Sequence, residues 1–188
     1  MLKKVPSKQR RAAGAHIAIV ASTYNTRFVD GMVCAAKATL VKAGADVSIV
    51  RVPGAFEIPV VAAELARGAA APAAIVCLGV ILRGATHHAQ TICDAITQSL
   101  CATATTSGIP VIHDVLMVEN EKQARERCLA PKHNRGVEAA QTAVEMVAVM
   151  ADVRAEAERR AMPVREAIDQ ASWSRRRARK PTDDDIPF

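Results

Sequence analysis

The chain of 188 residues suits one domain of ordinary size with room for a tail. Half of it is hydrophobic but only 3% is aromatic, so a core can form, built mainly from alanine, valine and other small side chains. The net charge of +6 resides at the ends, in Lys3, Lys4, Lys8, Arg10 and Arg11 and again after position 150, while the middle is close to balanced, so the basicity says little about what the core does.

Five cysteines, Cys34, Cys77, Cys93, Cys101 and Cys128, form no CxxC pair, and most lie among apolar neighbours. They read as reduced core thiols of a cytoplasmic protein, not a disulfide framework or a zinc site. The basic start lacks the apolar stretch of a signal peptide, and no apolar run approaches the ~20 residues that span a bilayer. A soluble protein with no membrane contact is expected.

Residues 16–22, HIAIVAS, read as a buried strand. Asn25 is placed to cap a helix whose apolar positions Phe28, Val29, Met32, Val33, Ala36 and Leu40 recur at three and four, and Gly44 stops it. A second strand at 47–52 runs into Pro53-Gly54, and a short helix starts at about Pro59. AAIVCLGVI at 73–81 is a third strand, followed by an Ala/Thr/Cys-rich helix from about His88 to Thr106 that ends before Gly108. IPVIHDVL at 109–116 is the fourth strand, residues 120–128 a short helix, and a long helix runs from about Arg135 towards Met162. Pro163 is expected to break or kink it, with another short helix over 164–172.

Parallel strands need crossovers, so strands alternating with helices of this length predict a three-layer α/β fold, a doubly wound parallel sheet of four strands. Ligands of such sheets bind beyond the carboxyl ends of the strands, where the winding reverses. Four segments qualify: 23–25, 53–57, 83–88 and the residues after the fourth strand.

The third strand leads through LRGATHH, 82–88, into a helix. Free N–H groups there favour an anion, Thr86 adds a hydroxyl donor, and a histidine can shuttle protons. The same residues would also serve as an ordinary helix start with exposed histidines. Glu57, in the turn PGAFE, suits the hydroxyls of a polyol, or is a first-turn acid favoured by the helix dipole. Tyr24, the one tyrosine, either stacks on a flat ring or plugs the sheet end. Arg127 and Arg135 flank a basic loop open to phosphate recognition or plain solvation.

VPGAFEIP (52–59), LGVILRGATHH (78–88) and NRGVEAAQTAVEM (134–146), in this order and spacing, resemble the lumazine synthase family over about residues 15–152. The resemblance implies a flavodoxin-like sheet of order 2-1-3-4 within 15–153, flanked by a basic arm, 1–14, and a charged extension, 154–188. It implies a transferase of riboflavin biosynthesis that joins 5-amino-6-(D-ribitylamino)uracil to 3,4-dihydroxy-2-butanone 4-phosphate without a cofactor. Carried over by motif, His88 is the proton-transfer residue, and Arg127 binds phosphate with the Ala85-Thr86 turn. Ala55, Phe56 and Glu57 hold the ribityl chain and uracil edge, Val80, Ile81 and Leu82 read the pyrimidine through their backbone, and Tyr24 stacks on it.

The family assembles as homopentamers, or as twelve pentamers in an icosahedral shell, and association with riboflavin synthase goes with it. The unextended loop before Gly136 favours the shell.

Three departures stand out. The family's Phe-Gly-Val-Leu-Thr on the fourth strand is His113-Asp114-Val115-Leu116-Met117 here, its Asn-Lys-Gly is Asn134-Arg135-Gly136, and Ala89 is small. His113 would still stack on a ring in the neighbouring subunit's site while adding a titratable group, and Arg135 keeps the charge with a different geometry. These departures motivate an alternative: a shell-forming or ligand-binding homologue with weakened catalysis. The ending Asp183-Asp184-Asp185-Ile186-Pro187-Phe188 is similar to the acidic tip of bacterial single-stranded DNA-binding proteins and offers a docking peptide for a protein partner. A solvated terminus is the plainer reading.

Overall fold

The structure, a computed structural model, describes residues 10–178, with side chains as far as residue 161. The acidic tip and most of the basic arm therefore lie outside the described residues. Nine principal elements follow in order: β1 (His16–Ser22), α1 (Thr26–Lys42), β2 (Asp46–Val52), α2 (Ile58–Arg67), β3 (Ala74–Leu82), α3 (His88–Ser107), β4 (Val111–Val118), α4 (Glu121–Cys128) and α5 (Arg135–Ala178). All four strands are parallel, in the order β2-β1-β3-β4. The doubly wound sheet expected from the sequence is present.

Alternation along the strands divides the core in two. Ile17, Ile19, Val76 and Leu78 face α1, α4 and the start of α5, where Val29, Met32, Ala140 and Ala143 complete the packing. Val20, Ile75, Cys77 and Val115 face α2 and α3, against Ile58, Ala62, Ile96 and Leu100. The central strands β1 and β3 are thus apolar on both sides, as continuous apolar runs require.

Small residues let the helices come close. Gly136, in the first turn of α5, leaves no room for a methyl group, since a Cβ there would lie 2.1 Å from the Met32 carbonyl oxygen of α1. Asn134 secures the same crossing: its Nδ2 donates to the Gly31 carbonyl of α1 at 3.4 Å and to the Cys128 carbonyl that ends α4, and its Oδ1 accepts from the Gly136 amide at 2.9 Å.

Several sequence expectations shift. The α1 stripe is buried as predicted and Gly44 follows the helix with φ +87°. Asn25, however, makes no capping bond; it adopts a left-handed conformation (φ 56°) and turns its side chain to another strand. β4 starts two residues late because Pro110 has no N–H for the ladder and Ile109 N–H bonds to Ser107 Oγ instead. Of the five free thiols only Cys77 and Cys128 are buried; Cys34 and Cys101 are exposed. Burial pushes the Cys77 thiol up to about 12 and, with Asp114 nearby, Cys128 to about 11, so neither is a ready nucleophile.

The α/β unit extends to Ala148, and residues from Val149 form a second unit. Helix α5 does not end at Pro163 but continues to Ala178. Proline's fixed φ is helical and forfeits one intrahelical bond, while the alanines, glutamates and arginines on both sides are good helix formers. No helix among the described residues is long and apolar enough to cross a membrane.

Gly136→Ala should destabilise the protein by about 3 kcal/mol through the enforced separation of α1 and α5. Gly68→Ala, where a Cβ meets nothing nearer than 3.7 Å, should change stability by less than about 1 kcal/mol. Urea denaturation followed by far-ultraviolet circular dichroism, at fixed subunit concentration, compares the two. Equal effects would mean that the crossing can yield.

Candidate active site

The carboxyl ends of β1, β2 and β3 converge, and residues 23–25 tie them together. Tyr24 N–H donates to the Pro53 carbonyl at 3.0 Å, Thr23 N–H to the Val52 carbonyl at 2.8 Å, and Thr23 Oγ1 to Pro53 again at 3.0 Å. Asn25 Nδ2 donates to the Val80 carbonyl at 2.8 Å. The left-handed turn at Asn25 thus does the work of a clamp between β1 and β3, which asparagine tolerates better than most residues.

The PGAFE turn is organised from within. Ala55–Glu57 form one 3-10 turn before α2, and Glu57 Oε2 accepts from the Gly54 amide at 2.8 Å. A Cβ at Gly54 would meet Glu57 Oε2 at 2.7 Å and the Tyr24 ring at 3.3 Å, so the ring and the carboxylate close over this glycine. Tyr24 and Phe56 are nevertheless 68% and 59% exposed, an unusual amount of aromatic surface in a chain with so few aromatics. Ala55 is buried beneath them.

Strand β3 outruns its neighbour. Its pairing with β1 stops at Leu78, while pairing with β4 continues to Leu82. Successive residues present their backbone groups to alternate sides, and Arg83 N–H bonds to Val118 on β4. Val80 and Leu82 therefore address the open notch beside Asn25, with the Val80 carbonyl already engaged, and Ile81 addresses β4. This notch can hydrogen-bond the edge of a flat heterocycle.

Beyond it, residues 85–88 are exposed. His87 occupies the cap position of α3 and His88 its first turn, with no side-chain cap, so the N–H groups of that turn remain for an anion. Arg83 is paired with Glu119 at 2.8 Å, which makes it a strut between the ends of β3 and β4.

The fourth strand carries the two departures on opposite faces. On the α3 side, His113 Nδ1 accepts the Val115 N–H at 3.3 Å, so the proton of the neutral ring lies on Nε2 and meets Thr97 Oγ1 at 2.9 Å. Thr97 in turn donates to the Cys93 carbonyl at 2.8 Å. On the other face Asp114, 3% exposed, accepts from Arg135 Nε and Nη2 at 2.8 and 2.7 Å, and Arg135 Nη1 pairs with Glu138 at 2.5 Å.

Burial pushes the Asp114 carboxyl above its ordinary range despite the pull of Arg135. At the Arg135 guanidinium, burial acts to lower the value, but the two carboxylates outweigh it and raise it. The contrast follows exposure: the Asp114 side chain is 4% accessible and that of Arg135 32%.

Arg135 and Arg127 share a cavity of about 540 Å³ floored by Val115–Val118. The Arg127 side chain, exposed on α4, has no hydrogen bond or ion pair among the described residues. Tyr24, Ala55–Glu57 and Val80–Leu82 therefore come together within one subunit, whereas Arg127, Arg135 and His113 lie along β4 and its flanking helices. Sequence reasoning missed Asn25 as a clamp and Glu138 as a partner of Arg135. The second was signalled by its i,i+3 spacing. No group of three or more histidine, cysteine or acidic side chains capable of holding a metal occurs among the described residues.

A doubly wound parallel sheet with an open notch at its reversal point and a separate arginine cavity defines an α/β protein built to hold small polar ligands. Residues 14–151 match the family model for 6,7-dimethyl-8-ribityllumazine synthase, and the chain belongs to that family. The synthase of Kineococcus radiotolerans is 40% identical over 151 residues, 79% of this chain and 92% of the relative. That of Xylella fastidiosa is 41% identical over 74% of this chain and 92% of the relative. That of Mycolicibacterium paratuberculosis is 39% identical over 77% and 90%.

The buried pair generates a pH-dependent outcome. A carboxyl whose folded pKa lies above its unfolded value of about 3.9 stabilises the fold below that value and loses the contribution as pH rises through the folded pKa. Arg135→Met removes the offsetting cation and raises the Asp114 pKa further. The variant should be about 2–3 kcal/mol less stable than the parent at pH 7.5, with the gap closing as pH falls towards 4. Urea denaturation across this range tests it, and a gap independent of pH would show that Asp114 is not the source.

Proposed function

We propose that the chain condenses 5-amino-6-(D-ribitylamino)uracil with 3,4-dihydroxy-2-butanone 4-phosphate to 6,7-dimethyl-8-ribityllumazine, releasing phosphate and water, as a transferase of riboflavin biosynthesis. The observation that carries this is the notch itself: an exposed tyrosine ring over the Gly54–Glu57 turn, beside backbone groups of β3 that β1 leaves unpaired. In this reading Tyr24 stacks on the pyrimidine and the backbone groups of Val80 and Leu82 line its edge, while Ile81 turns its own towards β4. Ala55, Phe56 and Glu57 hold the ribityl chain, with the second Glu57 oxygen left for a hydroxyl. His88 moves protons during imine formation and phosphate loss. Arg127, Ala85 and Thr86 receive the phosphate, with Arg135 alongside.

The two arginines belong to a cavity apart from the notch, and an assembly that brings one subunit's β4 edge against another's notch would complete the site. An apolar depression of about 450 Å³ between α2 and α3, including Phe56, Val60 and Ile96, supports such association. A homopentamer is the assembly proposed, and the unextended α4–α5 loop favours a shell of twelve. His113, pinned by Thr97, would then form a wall of the adjacent subunit's pocket. The alternative, a shell-forming homologue with weakened catalysis, draws on the engagement of Arg135 by Asp114 and Glu138.

Purified protein dialysed against chelator should form the lumazine from both substrates, followed by absorbance and fluorescence; a requirement for added metal or nucleotide would sink the assignment. His88→Ala should slow turnover without abolishing it, because holding two reactants together supplies much of the rate. Arg127→Ala should raise KM for the phosphate-bearing substrate most; equal effects on both substrates would exclude Arg127 as the anion anchor.

A site shared between subunits has its own signature. His88→Ala and His113→Ala proteins, unfolded together and reassembled, should exceed the mean activity of the two parents, since some sites recover both wild-type histidines. Activity equal to that mean would place each site within a single subunit.

A further inference from the structure

A buried carboxylate is an expensive choice for a strand position flanked on its own face by Ile112, Leu116 and Val118. Ion pairs in such places rarely improve on apolar packing, so Asp114 needs another reason to be there. Its geometry supplies one. Asp114 Oδ1 takes Nε and Nη2, the side edge of the Arg135 guanidinium, at 2.8 and 2.7 Å. Among the described residues, the end edge, formed by Nη1 and Nη2, is met only by Glu138 Oε2 at 2.5 Å, and that side chain is 40% exposed. Arg135 opens α5 and lines the same cavity as Arg127.

We propose that Asp114 is a positioning residue that clamps the side edge of Arg135 and presents its end edge to the phosphate held by Arg127. Glu138 occupies that edge when the cavity is empty and yields it to the anion. A guanidinium fixed on one edge by a carboxylate loses little freedom on binding a second anion through the other, which suits a bidentate contact. The inference rests on the reading of this cavity as the phosphate end of the site.

The two carboxylates should then act with opposite signs, which a simple field effect cannot produce. The probe is inorganic phosphate, titrated calorimetrically into the full-length protein. Asp114→Asn should weaken its binding by about fivefold and Glu138→Gln should tighten it by a similar factor. In steady-state assays the Asp114→Asn change should fall on KM for the phosphate-bearing substrate and leave KM for the pyrimidine unchanged. Arg135→Lys, which keeps the charge but has no second edge, should match Asp114→Asn, and the double variant should be no worse than either.

Movement of Asp114→Asn and Glu138→Gln in the same direction would overturn the proposal, as would unchanged phosphate affinity in both. Should Asp114→Asn fail to fold, Arg135→Lys and Glu138→Gln carry the comparison: weakening by the first and tightening by the second support the proposal, and any other pattern overturns it. Unchanged phosphate binding in Arg127→Ala would instead remove the cavity as an anion site, and the proposal with it. A loss there without a response at Asp114 would remove the positioning role alone.

Discussion

The structure depends on the burial of β1 and β3 on both faces. Strands apolar on both sides must be covered on both sides, and parallel neighbours can be joined only through crossovers, so helices are distributed above and below the sheet. Once β1 lies between β2 and β3, the chain leaves it towards one layer while β2 and β3 send their connections to the other. The strand ends part at that point, and backbone groups are left without sheet partners. The notch is thus a by-product of how the core is covered, and residues 23–25 furnish it.

The site makes economical use of polar groups. Glu57 shapes its own turn, Asn25 spends its amide on β3, Arg83 bridges strand ends and Asp114 holds Arg135. What remains for chemistry is one exposed histidine pair, a helix start and an arginine. That inventory suits a reaction in which two activated substrates need orientation, proton transfers and a place for a leaving anion, and little else.

Much of the fold was legible because its signals are local. Apolar runs gave all four strands, and the three-four spacing from Phe28 to Leu40 named the buried face of α1 residue for residue. Turn glycines marked helix ends. The signals that failed were those with a competing option elsewhere in the chain. Asparagine before a helix is a good cap, but Asn25 found a carbonyl 55 residues away. Arg135 looked like a loop charge because its main partner sits 21 residues earlier, on a strand whose pattern gave no hint of which face would hold the acid. Proline at 163 signalled a break or a kink, yet the helix runs through it to Ala178, carried by the strong helix formers on both sides. Within the site, the segments 53–57 and 83–88 were visible as motifs, whereas the unpaired edge of β3 emerges only from the register of three strands.

The scarcity of aromatic residues has a spectroscopic consequence. The single tryptophan, Trp173, belongs to the second unit, and the single tyrosine stands at the notch, two-thirds exposed. Indole emission thus originates from one residue of that second unit. Tyrosine emission, by contrast, comes from one address. On the proposed reading, a heterocycle resting on that ring would quench it or draw its energy away, and tyrosine emission would then report ligand occupancy.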